Sequence, residues 1–315
     1  MSALLHMAGR HGTLILPLGV VIGLAVQPLA ELLRPLLAAV VFFMLTFIFI
    51  RLDVLAAIAQ VRRPKVVPLA VILAVVVMPV LTAVFLMLFP QSPGLTAAFI
   101  LYTSAPPNFA AAALAFILGL DGALAVALIL GCLVLHPILT PLFTELVTGG
   151  AVLVPGSEIA LRLALLIGGA AGLAVIGRRL IGRARLARSG LAIDGINVIL
   201  MLVFVIGLMD TIPAQIAARP AHAAALTALV FALHIFLNLG TALAFWWSGM
   251  RTAATVGFAL GGRNMAPAMA VLGTAVPPET WLFFAVLQFP IYLLPMLLKP
   301  LYRRLLDTPG HRRVG

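Results

Sequence analysis

Ten stretches of roughly 20 apolar residues follow one another along this 315-residue chain, and that succession restricts its fold more than any motif does. They cover residues 12–28, 35–51, 67–89, 94–118, 122–146, 159–177, 191–210, 222–246, 251–275 and 279–299. A helix of that length crosses the hydrocarbon layer, and lipid leaves every backbone amide to be satisfied inside the segment. The expected fold class is therefore an all-α polytopic membrane protein with ten transmembrane helices. Composition agrees: 63% of residues are hydrophobic and 9% are charged, with mean hydropathy +1.22. A water-soluble domain carries about a quarter charged residues. The one cysteine, Cys132, leaves no internal disulfide and no CxxC motif. The opening "MSALLHMAGRH" lacks the apolar core of a cleavable signal, so the first run is expected to begin the fold.

Basic residues orient the spans. With the N-terminus in the cytoplasm, Arg10, Arg51, Arg62, Arg63, Lys65, five arginines from Arg178 to Arg188, Arg251 and five basic residues from Lys299 onward all fall inside. Only Arg34, Arg162 and Arg219 fall outside, and Arg263 lies within the membrane. Both termini are then cytoplasmic, in an integral protein of a bacterial inner membrane. The net charge of +11 reflects this asymmetry and proximity to anionic headgroups, with no nucleic-acid partner implied.

Two of the runs are broken in the middle. "TSAPPNFAAAAL" (103–114) interrupts the fourth span and "GGRNMAPAMAVL" (261–272) the ninth, each followed by a proline-bearing span, "LHPILTPLF" and "FPIYLLPMLLKPL". Pro106 and Pro107 remove two amide donors, while Gly261 and Gly262 free the backbone at the second break. Five spans per half give the second half opposite polarity, a 5+5 inverted repeat in which matched breaks mark a transport site. The first repeat is residues 1–150. Residues 151–190 hold an external connection, the sixth helix and a basic cytoplasmic loop, and 191–315 complete the second repeat and tail.

The order of "VVMPVL" (76–81), "SAPPN" (104–108), "GLDGALAVAL…HPILTPLF" and "GGRNMAPAMAV" resembles the bile acid:sodium symporter family (solute carrier 10-like), in the superfamily of arsenite and auxin-type carriers. The resemblance spans essentially the whole chain. It implies a core domain (helices 3–5 and 8–10) packed on a panel domain (helices 1, 2, 6 and 7). Discontinuous helices 4 and 9 would cross in the core, and transport would proceed by alternating access. The family's sodium ligands are not retained: its glutamate corresponds to Ala259, its glutamine to Arg263, its helix-4 serine to Pro107, its helix-5 hydroxyls to Ala125 and Ile129, and a helix-3 glutamine falls near Ala74. Only Asn108 and Asn264 match.

Arg263 then has two readings. The half-helix ends at a crossing expose carbonyl dipoles worth roughly one negative charge, which a tethered guanidinium can replace sodium in balancing; alternatively, it contacts a substrate anion. Asn264, Asn108, Pro107, Ser104, Thr103 and Gln288 are the other candidate substrate-binding residues. The expected function is a secondary, sodium-independent carrier of a small organic anion, with sodium or proton coupling as the alternative. His234, Asn238 and His136 are read as interhelical hydrogen-bonding groups, Asp194 as a helix N-cap, and Arg51 with Asp53 as an ion pair. No enzyme motif such as HExxH or GxSxG occurs, so neither catalysis nor a cofactor or metal is expected.

Overall fold

The computed structural model describes residues 18–52 and 65–307. The start of the first predicted span, Arg10, Asp53, Arg62, Arg63, Arg312 and Arg313 lie outside the described residues. Within them the chain is helical throughout and contains no β-strand. In chain order the helices are α1 (18–25), α2 (Gln27–Arg51), α3 (Val66–Leu88), α4 (Pro93–Ser104), α5 (Ala111–Ile117), α6 (Gly122–Thr148), α7 (Gly156–Ile181), α8 (Arg183–Arg188), α9 (Gly190–Leu208), α10 (Ile212–Ala218), α11 (Pro220–Ala244), α12 (Met250–Gly261), α13 (Ala266–Leu272) and α14 (Pro278–Asp307). Seven of these, α2, α3, α6, α7, α9, α11 and α14, contain a stretch long and apolar enough to cross a membrane. The fourth and ninth predicted spans are each split into two shorter helices, α4/α5 and α12/α13.

Local chemistry sets the ends and irregularities. Ser92 caps α4 by accepting from Leu95 N at 3.2 Å, with Pro93 occupying the first turn, where no amide partner is needed. Asp121 caps α6 in the same way, accepting from Leu124 N at 3.0 Å. In α3 the turn before Pro79 widens into a π-helix over Leu73–Val77, a typical response to a missing N–H.

Two groups of helices emerge from the packing. In the first, α2 lies against α7 and α9, and Gly19 and Gly23 of α1 press against Leu202 and Met209, beside α9. In the second, α4, α6, α11, α12 and α14 interlock, with α3 and α5 packed against them. The α11 and α12 backbones approach closely: a Cβ on Gly257 would lie 2.6 Å from Ala242 Cβ, and one on Gly261 would lie 2.7 Å from Asn238 Cα. Small residues of this kind let backbones approach closely where lipid supplies no hydrophobic drive. Helix α13, which follows α12 of the second group, packs on α2 and α7 of the first, and α6 packs directly on α7, so the groups are joined at both places.

Candidate functional site

The two breaks meet. Asn108 N donates to Gly262 O and Asn264 N donates to Pro106 O, both at 2.8 Å, so Pro107 and Arg263 form an antiparallel bridge between the interrupted helices. Each asparagine also folds the chain after it in the same manner. Asn108 Oδ1 accepts from Ala110 N and Asn264 Oδ1 from Ala266 N, each at 3.1 Å, an Asx turn that starts the following half-helix.

The carbonyls at the crossing are occupied by protein donors. Thr140 Oγ1 donates to Ser104 O at 2.9 Å, Arg263 Nη1 to Ala105 O at 3.0 Å, and Tyr102 Oη to Gly261 O at 3.2 Å. Pro106 O and Gly262 O are taken by the reciprocal backbone bonds. Arg263 is wholly buried, its Nη2 lies against Met78 Sδ, and its Nε has no partner among the described residues. No salt bridge among the described residues includes it. Three of its five donors are thus directed at one carbonyl, one sulfur and nothing, a costly arrangement for a buried charge.

On the other side of the crossing lies a cavity of about 1150 Å³ between the two helix groups. Asn108, Asn264 and Gln288 line it, as do Arg51, Asp194 and Asn197 of the first group, Asp121, Arg251, and an aromatic wall that includes Phe47, Phe109, Phe116, Phe204, Phe284 and Tyr292. Because both asparagine Oδ1 atoms are engaged in turns, their Nδ2 groups are left as donors with no protein acceptor among the described residues. Gln288 Nε2 bonds back to Phe284 O at 3.1 Å within α14.

The seven sequence-derived candidates therefore separate into two sets. Asn108, Asn264 and Gln288 face the cavity, whereas Arg263, Pro107, Ser104 and Thr103 do not line it. Ser104 and Thr103 are 2% and 3% exposed; Thr103 Oγ1 bonds to Phe99 O at 2.9 Å, while Ser104 Oγ has no partner among the described residues. The four positions that the resemblance aligns with sodium ligands outside the breaks, Ala74, Ala125, Ile129 and Ala259, are buried in one apolar cluster with Cys132.

One expectation is corrected. Asp194 is not a cap: it sits inside α9, and its carboxylate accepts from Arg51 Nε and Nη2 at 2.9 and 3.1 Å. This pairs Arg51 with a residue 143 positions away; the expected pair with Asp53 falls on a residue outside the described ones. Of the polar groups read as interhelical, Asn238 Oδ1 accepts from Tyr302 Oη at 3.1 Å across α11 and α14. His234 Nδ1 lies 3.5 Å from Tyr102 Oη, and His136 Nδ1 lies 2.6 Å from Thr140 Oγ1 within α6. Sequence reasoning missed Asn197, Arg51 and Arg251 as cavity residues. Their only signal was a polar side chain near the end of an apolar run.

Comparison with known proteins finds no matching family model and no matching curated protein.

Proposed function

We propose that this chain is a secondary carrier that moves a small organic anion across the membrane by alternating access, without coupling to sodium. One observation carries the reading: a fully buried guanidinium at the crossing of two broken helices, where protein donors already hold the carbonyl ends. A hard cation needs a cage of free oxygens. Here the backbone oxygens are engaged and the surrounding positions are alanine and isoleucine. A tethered cation in place of a diffusible one removes the stoichiometric link to an ion gradient.

The inverted repeat and the ten-span topology belong to the same reading. Asn108 and Asn264 are 156 residues apart and perform the same turn, and α6 and α14 begin at Gly122 and Pro278, again 156 apart. The α1, α2, α7 and α9 group corresponds to a panel, and the remaining long helices to a core. With both termini cytoplasmic, Arg51, Asp121 and Arg251 put the mouth of the cavity on the cytoplasmic side.

The substrate class follows from the lining. The lining includes two carboxamides with free Nδ2 donors, Asn108 and Asn264, together with Arg251, Gln288 and an aromatic wall. An acid group bonded by the donors and an apolar body against the rings would satisfy both. Pockets of this size suit ligands larger than a two-carbon acid. The bilayer is the other partner implied, and nothing in the lining calls for nucleic acid.

The test is uptake into proteoliposomes of a panel of labelled small carboxylates and sulfonates, in sodium buffer and with choline in its place. Saturable uptake and counterflow at matching rates in both buffers are expected. Uptake that collapses in choline would replace this reading with the sodium-coupled one, and uptake that follows an imposed pH gradient with the proton-coupled one.

A further inference from the structure

At the end of the seam away from the cavity, the two helix groups are tied by a pair of arginines. Arg34, in the first turns of the α2 rod, lies 5.6 Å from the centre of the Trp281 ring of α14. Asp210, just past the end of α9, holds the same guanidinium in an ion pair. The ring is fixed in turn, since Trp281 Nε1 donates to Gly273 O at 3.0 Å. Arg162, near the start of α7, donates from Nη1 to Val271 O of α13 at 2.9 Å, while its Nη2 is held by Glu158. Both arginines follow one plan. A carboxylate of the arginine's own helix group orients the guanidinium, and its remaining capacity reaches across to a π face or a carbonyl of the other group.

The ties lie outside the cavity lining, at the opposite end of α2 and one turn away on α14, where Trp281 packs at 6.2 Å against Phe284 of the cavity wall. The cavity uses the last residues of α2, α9 as far as Phe204 and the middle of α14; the ties use the start of α2, Asp210 just past α9 and the start of α14. Next to the Arg34 tie, where Met209 precedes Asp210, the seam has a second, smaller gap of about 330 Å³, lined by Leu24, Met209, Ile212, Pro220, Val286 and Phe289 among others. Its one hydroxyl, that of Thr227, is bonded to Ala223 O at 2.8 Å, so no free polar group holds the gap shut.

We infer that Arg34 and Arg162 form a two-point latch whose release opens the seam at this end, turning the small apolar gap into the opposite access path. The inference rests on the alternating-access reading. Both contacts are single, partly exposed and made to neutral acceptors. Each is therefore weak enough to break in a working cycle, and each shifts the balance of the two arrangements by about tenfold. The carboxylates stay with their arginines, so opening exposes paired charges and no bare ones.

Labelling by a membrane-impermeant maleimide tests this without any substrate, and the native Cys132 is fully buried and contributes little background. One reporter is Val286→Cys, buried in the small gap; the other is Ala113→Cys, in the large cavity. With Arg34→Gln and Arg162→Gln combined, the rate at position 286 rises by well over tenfold while that at position 113 falls or holds. Each single substitution gives part of the rise, and Trp281→Leu reproduces the Arg34→Gln effect from the other side of the contact. A general loosening would raise both reporters together and would overturn the latch, as would an unchanged rate at 286 in a monodisperse double variant. Parallel uptake assays separate the two readings. Opening at 286 with no anion transported sinks the carrier and keeps the latch, and transport with no change at 286 sinks the latch alone.

Discussion

The first break stops its helix with two prolines, whereas the second stops with two glycines and an arginine, yet the backbones pair reciprocally and the same Asx turn follows each. The difference lies in what approaches from behind. Gly261 and Gly262 run against α11, with Asn238 Cα 2.7 Å and His234 Cε1 3.2 Å from their hypothetical Cβ atoms, so no side chain fits there. The first break has room for pyrrolidine rings, and their missing amides cost nothing because the partner strand uses only Asn108 N and Pro106 O. Charge is supplied from one side only: Arg263 reaches across to Ala105 O at the end of α4, while the end of α12 is capped by the neutral Tyr102. Equivalent geometry is thus held by inequivalent chemistry, and substitutions at the two breaks should have unequal effects.

The largest inequality is expected at Arg263. Arg263→Ala removes the donor to Ala105 O and leaves a void in a closed interior, a loss of about 3 kcal/mol or more. Thermal unfolding of the purified protein in detergent measures it, and millimolar guanidinium should recover part of the loss by refilling the space. Lysine restores charge without the planar fork, so Arg263→Lys should fall between the parent and alanine. An alanine variant as stable as its parent would remove the tethered cation from the account.

Next come the backbone positions. Gly261→Ala drives a methyl into the α11 backbone and should cost about 1–3 kcal/mol. Gly262→Ala meets only a side-chain carbon at 3.2 Å and should cost less. Pro107→Ala, in the first break, should shift stability by under about 1 kcal/mol through the freedom of the unfolded chain. Equal losses at Gly261 and Pro107 would contradict the unequal approach of α11.

Much of this arrangement was legible in the sequence. The breaks announced themselves because proline pairs and polar residues are rare within apolar runs, and Asn108 and Asn264 were singled out by their matched spacing. A charge at membrane depth marked Arg263. The acceptors were not legible: nothing local connects Arg263 to Ala105 O or to Met78, 158 and 185 residues away. Arg51 illustrates the same limit. The helix packing delivers Asp194, 143 residues away, to both its Nε and Nη2, a partner nothing local marks. The cavity wall from α2 and α9 was invisible for the same reason, since lipid-facing and cavity-facing apolar residues read alike.

Where the breaks agree, the effects should agree. Asn108→Ala and Asn264→Ala each remove one turn bond at 3.1 Å and should each cost about 0.5–1.5 kcal/mol. Each also removes one Nδ2 donor from the cavity, so affinity for the proposed anion should fall by similar factors in a thermal-shift titration. If one variant loses all ligand response and the other none, the two asparagines do not act as a pair, and only one break recognises the ligand.

The smallest effect is expected at Ser104, and it bears on the ion question directly. Its hydroxyl is 2% exposed and has no partner among the described residues, whereas its carbonyl is held by Thr140. An unsatisfied buried hydroxyl is a net cost, so Ser104→Ala should be neutral or stabilising by up to about 1 kcal/mol. Uptake should be unchanged in either sodium or choline. A serine that served as a cation ligand would behave in the opposite way, with stability falling and a sodium dependence lost on substitution. Ser104→Ala therefore asks whether any diffusible ion uses the α4 end of the crossing, while leaving Arg263 and both asparagines in place.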